Sequence, residues 1–394
     1  MSFKEEIEKM KRIQGVLLEF VEDKLNSEEN YENFINIITN HKMNKDPYEF
    51  KLVLRLINKI AENHQRVHDF INKIERILVF FKTDIKKHYS NSEIFNLFES
   101  NKRILLFIIQ EKIILIDEFI VSQITNNKYV EKKYAEYFAP EIKGFITEEF
   151  INKYCKSNRY LADEELINKI RKEVPDDFFD KRKEGENDNY LCELIRLDKV
   201  KDFGSYIHRQ NLSFGITIKE SIFETNPFLI DKSNVKLNEY AAFFGSNEII
   251  KYMKVNQGIE ATPDMWYYAI HSKNGELIKE LEDKHILPQE NNYERILKES
   301  IKCHHNDVSK YIIDNLIYEQ DSLNFIESSF KNKLCYYSFM YDNYCFFPEN
   351  YENKNIVVCL FEFDYYALVK LYLEQENVDV NDRYVKISAF SNKI

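Results

Sequence analysis

Apolar residues return every three or four positions from the start of the chain. Phe3, Ile7, Met10, Ile13, Leu17, Val21 and Leu25 fall on one face of a helix. Ser27 is placed to cap a second helix that presents Tyr31, Phe34, Ile35 and Ile38. Asp46-Pro47-Tyr48-Glu49 is a fuller start signal: Asp46 caps, Pro47 suits the first helical position, and Glu49 can reach back to the cap's own amide. The row Leu52, Val53, Leu56, Ile57, Ile60 follows it. Val67, Phe70, Ile74, Ile77, Phe81 and Ile85 predict one longer helix. Ser90-Asn91-Ser92-Glu93 reads as a capping box, and Asn101 as the cap of a helix carrying Ile104, Leu105, Phe107 and Ile108. Short helix, polar turn, short helix is the rhythm of stacked helical hairpins.

Residues 1–127 therefore read as an N-terminal helical region, left open as degenerate repeats. Residues 128–188 are more polar and less periodic, with Pro140, Pro175 and the charged run Asp180–Glu186, and read as a loosely helical connection. From 189 to 394 the chain repeats itself. Ala241-Ala242-Phe243-Phe244-Gly245-Ser246-Asn247-Glu248-Ile249-Ile250 matches the stretch opening at Ala269, 28 residues on, in small residue, acid and apolar pair. The frame returns at Ser300 and at Leu360, about two periods later, and an earlier copy fits Leu194. Extra sequence separates the copies near 211–234 and 316–355. A period near 30 with two short helices per unit points to ankyrin rather than to longer helical repeats.

Composition supports helices. Among 394 residues there are 8 glycines and 7 prolines, about a third of the usual share, which disfavours barrels, sandwiches and Gly-rich phosphate-binding folds. A net charge of −11 argues against nucleic acid as partner, because phosphate neutralisation needs a basic face. The most apolar stretch, Ile104 to Ile116, is broken by Gln110, Glu111 and Lys112 and is too short to span a bilayer. The six cysteines have no paired short spacing, and the acidic N-terminus lacks a signal-peptide core, so reduced thiols and a cytoplasmic location are expected.

The stretch Leu237 to Leu281 resembles an ankyrin array, and Leu368–Glu374 followed by Val378-Asp379-Val380-Asn381 looks like the second helix of a unit and its exit. More closely, the chain resembles the divergent, trichomonad-type ankyrin proteins of a parasitic protist. Asn187–Cys192, Ser221–Asn226 and Glu239–Ser246 carry that likeness, across roughly residues 187–281. The pattern departs from the family at its hairpins: Thr262-Pro263 precedes Ala269 by seven residues instead of five, and no other unit has the pair. The resemblance implies an all-α solenoid of stacked helix pairs that binds a protein partner. In ankyrin units, the two residues after the paired small positions end the first helix beside the groove and vary with the partner. Carried over, these are Phe243 and Phe244, His271 and Ser272, Lys302 and Cys303, and Glu362 and Phe363.

Candidates for chemistry are weak by comparison. His64-x-x-x-His68 puts two imidazoles on one face, but Gln65 stands where a zinc protease needs its general base, so a solvated helix face is expected. Cys303-His304-His305 are neighbours at an inter-helix turn, and adjacent helical residues point apart. Trp266 takes an apolar repeat position and reads as core. Glycine-rich nucleotide cradles are missing from the sequence. A non-catalytic scaffold without cofactor or metal is the expectation. An enzyme with non-local catalytic residues and a self-associating structural protein are the alternatives.

Overall fold

The computed structural model describes residues 2–66, 69–125, 133–155, 164–232, 234–258, 260–317, 326–348 and 355–374. Caps start many of its helices. Ser2 and Glu5 box the start of α1 (Phe3–Glu22), followed by α2 (Glu28–Asn40) and α3 (Pro47–Asn63). Asp46 accepts from the Tyr48 and Glu49 amides with Pro47 at the first position of α3. Glu49 does not reach back to the cap. Its carboxylate lies 3.4 Å from Lys9 Nζ, while the Asp46 amide donates to Met43. Ser27 makes no capping hydrogen bond; its own amide and that of Leu25 donate to Asp23 at 2.7 and 2.8 Å. The single helix expected from 67 to 85 is two, α4 (Phe70–Phe80) and α5 (Lys82–His88). The break falls at Phe81, which stays buried against Phe50 at 5.4 Å. Val67 lies outside the described residues.

The next three helices are α6 (Asn91–Phe98), opened by the Ser90–Glu93 capping box, α7 (Lys102–Gln110), capped by Asn101, and α8 (Glu118–Ile124). Residues 133–184 hold short turns at Tyr134–Tyr137 and Ala139–Ile142, then α9 (Glu164–Arg171) and α10 (Phe178–Glu184). Polar in composition, this stretch still buries Tyr134, Tyr137, Phe138, Ile142, Ile170 and Phe178. After it come α11 (Tyr190–Arg196), α12 (Val200–Arg209), α13 (Leu237–Phe244), α14 (Asn247–Gln257), α15 (Met265–His271) and α16 (Gly275–Asp283). The remainder is α17 (Tyr293–Lys302), α18 (Asn306–Tyr311), α19 (Ile326–Met340), α20 (Asn355–Glu362) and α21 (Tyr366–Leu373). The fold is all-α. The described residues contain one isolated antiparallel bridge, Thr217 with Lys236, and no helix long and apolar enough to cross a membrane.

Contacts divide the chain into two compact units, Met1–Asp84 with Ile278–Ile394, and Ile85–Leu277. In the first, α1 packs on α2, α4 and α21, α3 packs on α4 and α21, and α17 packs on α18 and α19, α19 on α20, and α20 on α21. In the second, α11 packs on α12 and α13, α13 on α14 and α15, and α12 on α14.

The repeated sequence frame marks one structural position. Leu194, Ala241, Ala269, Ser300 and Leu360 are each at most 1% exposed. Each carbonyl accepts from the amide five residues later: Lys199, Ser246, Asn274, His305 and Tyr365, at 2.9–3.1 Å. The residue before each donor, Asp198, Gly245, Lys273, His304 or Asp364, has φ between 47° and 69°. This is the left-handed turn that satisfies the last carbonyls of a helix, and it redirects the chain into the next one. Another such turn, at Ser338, Asp342 and Asn343, lies in the two-period gap between Ser300 and Leu360, and the same geometry also follows Ile108, Ile207 and Leu281.

Side chains at these turns also join neighbouring pairs. Ser246 Oγ donates to the Ile195 carbonyl at 2.6 Å, and Asn343 Nδ2 to the Ile301 carbonyl at 2.9 Å. Those carbonyls lie one residue after Leu194 and Ser300. Asn274 Nδ2 likewise reaches Asn247 Oδ1, and Asn343 Nδ2 reaches Asn306 Oδ1.

Candidate interaction face

Ala241 and Ala269, both with no exposed surface, let α13 and α15 approach closely. The residues that follow them therefore emerge side by side at the ends of these helices. Phe243 and Phe244 are half-buried, and His271 is buried. A third element completes the cluster. Asn226 caps the Phe228 amide, and Pro227 opens the short turn Pro227–Ile230. Phe228 is thereby set parallel to Phe243, with centroids 5.7 Å apart and 7° between planes. The His271 ring lies 3.9 Å from Phe228 and 5.4 Å from Phe243. Phe244 stands at 5.0 Å from Phe243 and 4.7 Å from Tyr240. The exposed Lys232 holds its Nζ 5.3 Å from the Phe228 ring and 5.1 Å from that of Tyr267, which places a cation against the π faces at the rim.

The side chains beneath are tied by polar contacts. Tyr240 receives a hydrogen bond from Arg196 at 3.2 Å, and burial pushes its phenol well above the ordinary range. Burial, then the charge of Glu239, raises the Tyr268 phenol. Glu239 itself is held by the Lys236 amide at 2.9 Å. Beside the cluster lies a cavity of about 60 Å³ bordered by Leu229, Ile230, Val235 and Tyr240.

Ser272 is buried at the end of α15, and its hydroxyl turns back to the Tyr268 and Ala269 carbonyls at 3.2 Å. In the other unit Lys302 is half-buried and paired with Glu299 at 3.1 Å. Cys303 has no exposed surface, and burial pushes its thiol up. Glu362 is exposed and accepts from the Tyr336 hydroxyl at 3.2 Å, and Phe363 is half-buried with its ring 5.3 Å from that of Tyr336. Phe243, Phe244 and His271 thus form one cluster, and Glu362 and Phe363 share another. Ser272 and Cys303 are interior. Phe228, Lys232 and Tyr267 escaped the sequence reading, although Asn226-Pro227 carries the same cap-and-proline signal that marked Asp46-Pro47.

His64 corrects another expectation. It is 2% exposed and not on a solvated face. It follows the end of α3, with Nδ1 2.8 Å from the Cys303 carbonyl and Nε2 3.0 Å from Glu22. His68 lies outside the described residues. Cys303, His304 and His305 do occupy an inter-helix turn. His304 Nε2 faces the Asp342 carbonyl at 3.4 Å and Nδ1 faces that of Lys302 at 3.2 Å. Burial, helped by the charges of His64 and Lys59, lowers its pKa to about 3. The His305 ring meets His64 edge-on at 4.8 Å. Trp266 is fully buried. No protein-family profile, no curated protein and no solved structure matches the chain.

Proposed function

We propose that the protein is a non-catalytic interaction module, a divergent ankyrin-type stack of helix pairs that holds a protein partner against the face of Phe243 and Phe244. The observation that carries this reading is the aromatic cluster itself. The half-exposed Phe243 ring stacks parallel on Phe228, meets Phe244 edge-on and lies tilted against His271, with Lys232 at the rim. Rigid aromatic anchors bordered by a cation are the usual composition of a recognition hot spot. They bind at little entropic cost because their rotamers are already fixed. The recurring left-handed turns and the polar ladder between successive pairs support the repeat reading. The hydroxyls and imidazoles of Ser272, His304 and His64 engage backbone carbonyls or, for His64, also Glu22, which favours recognition over catalysis.

Affinity capture with the intact chain tests this. The double variant Phe243→Ser, Phe244→Ser should keep its helical signal and lose partners that the wild type retains, and Lys232→Glu should weaken the same partners. A folded double variant that captures them at full strength would move the binding face elsewhere.

A further inference from the structure

The turn that ends α16 shapes a larger cavity. The Leu281 carbonyl accepts from the Ile286 amide at 2.9 Å, and His285 takes the left-handed position with φ 53°. The chain then runs past Leu287 to Asn292, whose side chain caps α17 and sets Tyr293 at its first position. Between the end of α16, the start of α17 and the turn Ile312–Ile317 that continues α18 lies an open cleft of about 370 Å³. Leu281, Glu282, Leu287, Tyr293, Tyr311 and Leu316 line it, all within the unit that contains Ile278–Ile394. Small-molecule sites begin at about 300 Å³.

Among the described residues that line the cleft, Glu282 is the one acid, and lysine and arginine are missing. Glu282 Oε2 accepts from the Tyr311 hydroxyl at 2.7 Å. Its other oxygen, Oε1, is shielded from solvent and accepts no hydrogen bond among the described residues. The lysines nearest in sequence are engaged with other acids, Lys279 with Asp283 at 3.2 Å and Lys284 with Glu280 at 3.1 Å. Burial, then the charge of Glu282, raises the Tyr293 phenol, so that side chain stays neutral beside the carboxylate. A shielded carboxylate oxygen without a donor is costly, and a cationic N–H donor offsets that cost best.

We propose that this cleft binds a primary alkylammonium ion, a protonated amine on a short apolar chain. The ammonium supplies the N–H donor that Glu282 Oε1 lacks, and its charge balances the carboxylate. The rings of Tyr293 and Tyr311 favour a cation near them. Leu281, Leu287 and Leu316 take the carbon chain out of water. A quaternary ammonium brings charge without an N–H, and an alcohol brings a donor without charge. Each matches the cleft only in part.

Calorimetric titration of the intact chain with n-hexylammonium chloride tests this, with hexyltrimethylammonium chloride and n-hexanol as comparison ligands. Hexylammonium should bind saturably, about tenfold or more tighter than either comparison. Glu282→Gln keeps an acceptor for the Tyr311 hydroxyl but removes the charge. It should weaken hexylammonium binding by about tenfold while the helical signal holds. The double variant Phe243→Ser, Phe244→Ser should titrate like the wild type, which separates this cleft from the aromatic face. No saturable heat with hexylammonium, equal affinity for either comparison ligand, or unaltered affinity in a folded Glu282→Gln variant overturns the proposal. The three-ligand comparison on the wild type decides the matter even where the variant does not fold.

Discussion

At the left-handed turn after α17, the His304 imidazole faces the Lys302 and Asp342 carbonyls, with His64 and Lys59 as the nearby charges that oppose its protonation. Its folded pKa of about 3 lies below the ordinary value near 6.5. The unfolded chain therefore binds this proton first as pH falls. The stabilisation is fully present above about pH 6.5 and is lost toward pH 3, by at most about 1.4 kcal/mol per pH unit. Denaturant midpoints taken from pH 7 to 5 should fall more steeply for the wild type than for His304→Asn, a residue that tolerates the same turn. Ala269 poses a steric test. With no exposed surface in the α13–α15 contact, Ala269→Leu should cost about 1–3 kcal/mol, read as a lower melting temperature. Ala269 and Trp266 were legible in the sequence because repeat frame and burial coincide. Arg182 was not. It sits in a charged run yet is 2% exposed, paired with Glu141 at 2.7 and 2.8 Å between the Phe178 and Phe179 rings. A partner 41 positions away leaves no trace in a local pattern.

Helix pairs were readable because the small or apolar frame residue is the one whose carbonyl closes the turn. Gly245 takes the left-handed position at no steric cost, whereas Asp198, Lys273, His304, Asp342 and Asp364 take it with side chains attached. The same turn ends α7, where Lys112 has φ 54° and the Ile113 amide bonds the Ile108 carbonyl at 2.8 Å. Lys112→Gly should relieve that strain and stabilise by up to about 1 kcal/mol, measured as a higher urea midpoint with unchanged slope. Gly204 makes a different point. A Cβ there would lie 2.6 Å from the Tyr252 hydroxyl oxygen, so α12 and α14 approach through a missing side chain. Gly204→Ala should displace the Tyr252 ring from Phe203 and Phe214, visible as altered near-ultraviolet dichroism. The turn at Ser338 went unread because a short 3-10 turn, Tyr344–Phe346, follows it where the other frames continue into a second helix.

Long-range polar contacts tie the unit that joins Met1–Asp84 to Ile278–Ile394. Gln14 donates to Asn343 at 2.9 Å and accepts from the Tyr344 amide at 2.6 Å. Arg55 lies 2.7 Å from Asp342, whose side chain has no exposed surface and also receives the Tyr365 hydroxyl. Burial pushes that phenol far above its ordinary range, so it remains a donor. Arg55→Met would leave a buried carboxylate without its cation and should destabilise by about 3–5 kcal/mol, seen by chemical denaturation. Periodicity shows which face of α3 is apolar. It carries no record of which turn, 287 positions on, supplies Asp342.

That discontinuity sets a schedule for synthesis. The segment Ile85–Leu277 forms a unit continuous in sequence and can close as soon as it leaves the ribosome. The segment up to Asp84 emerges earlier but must wait while about 190 residues are made before its partners begin to appear. At about 5–20 residues per second the delay is roughly 10–40 s, far longer than helices need to form. Through that interval α2 and α4 can already pack on α1 and α3, but the parts of α1 and α3 that meet α21 have no native cover, a surface that a chaperone binding early and letting go late would shield.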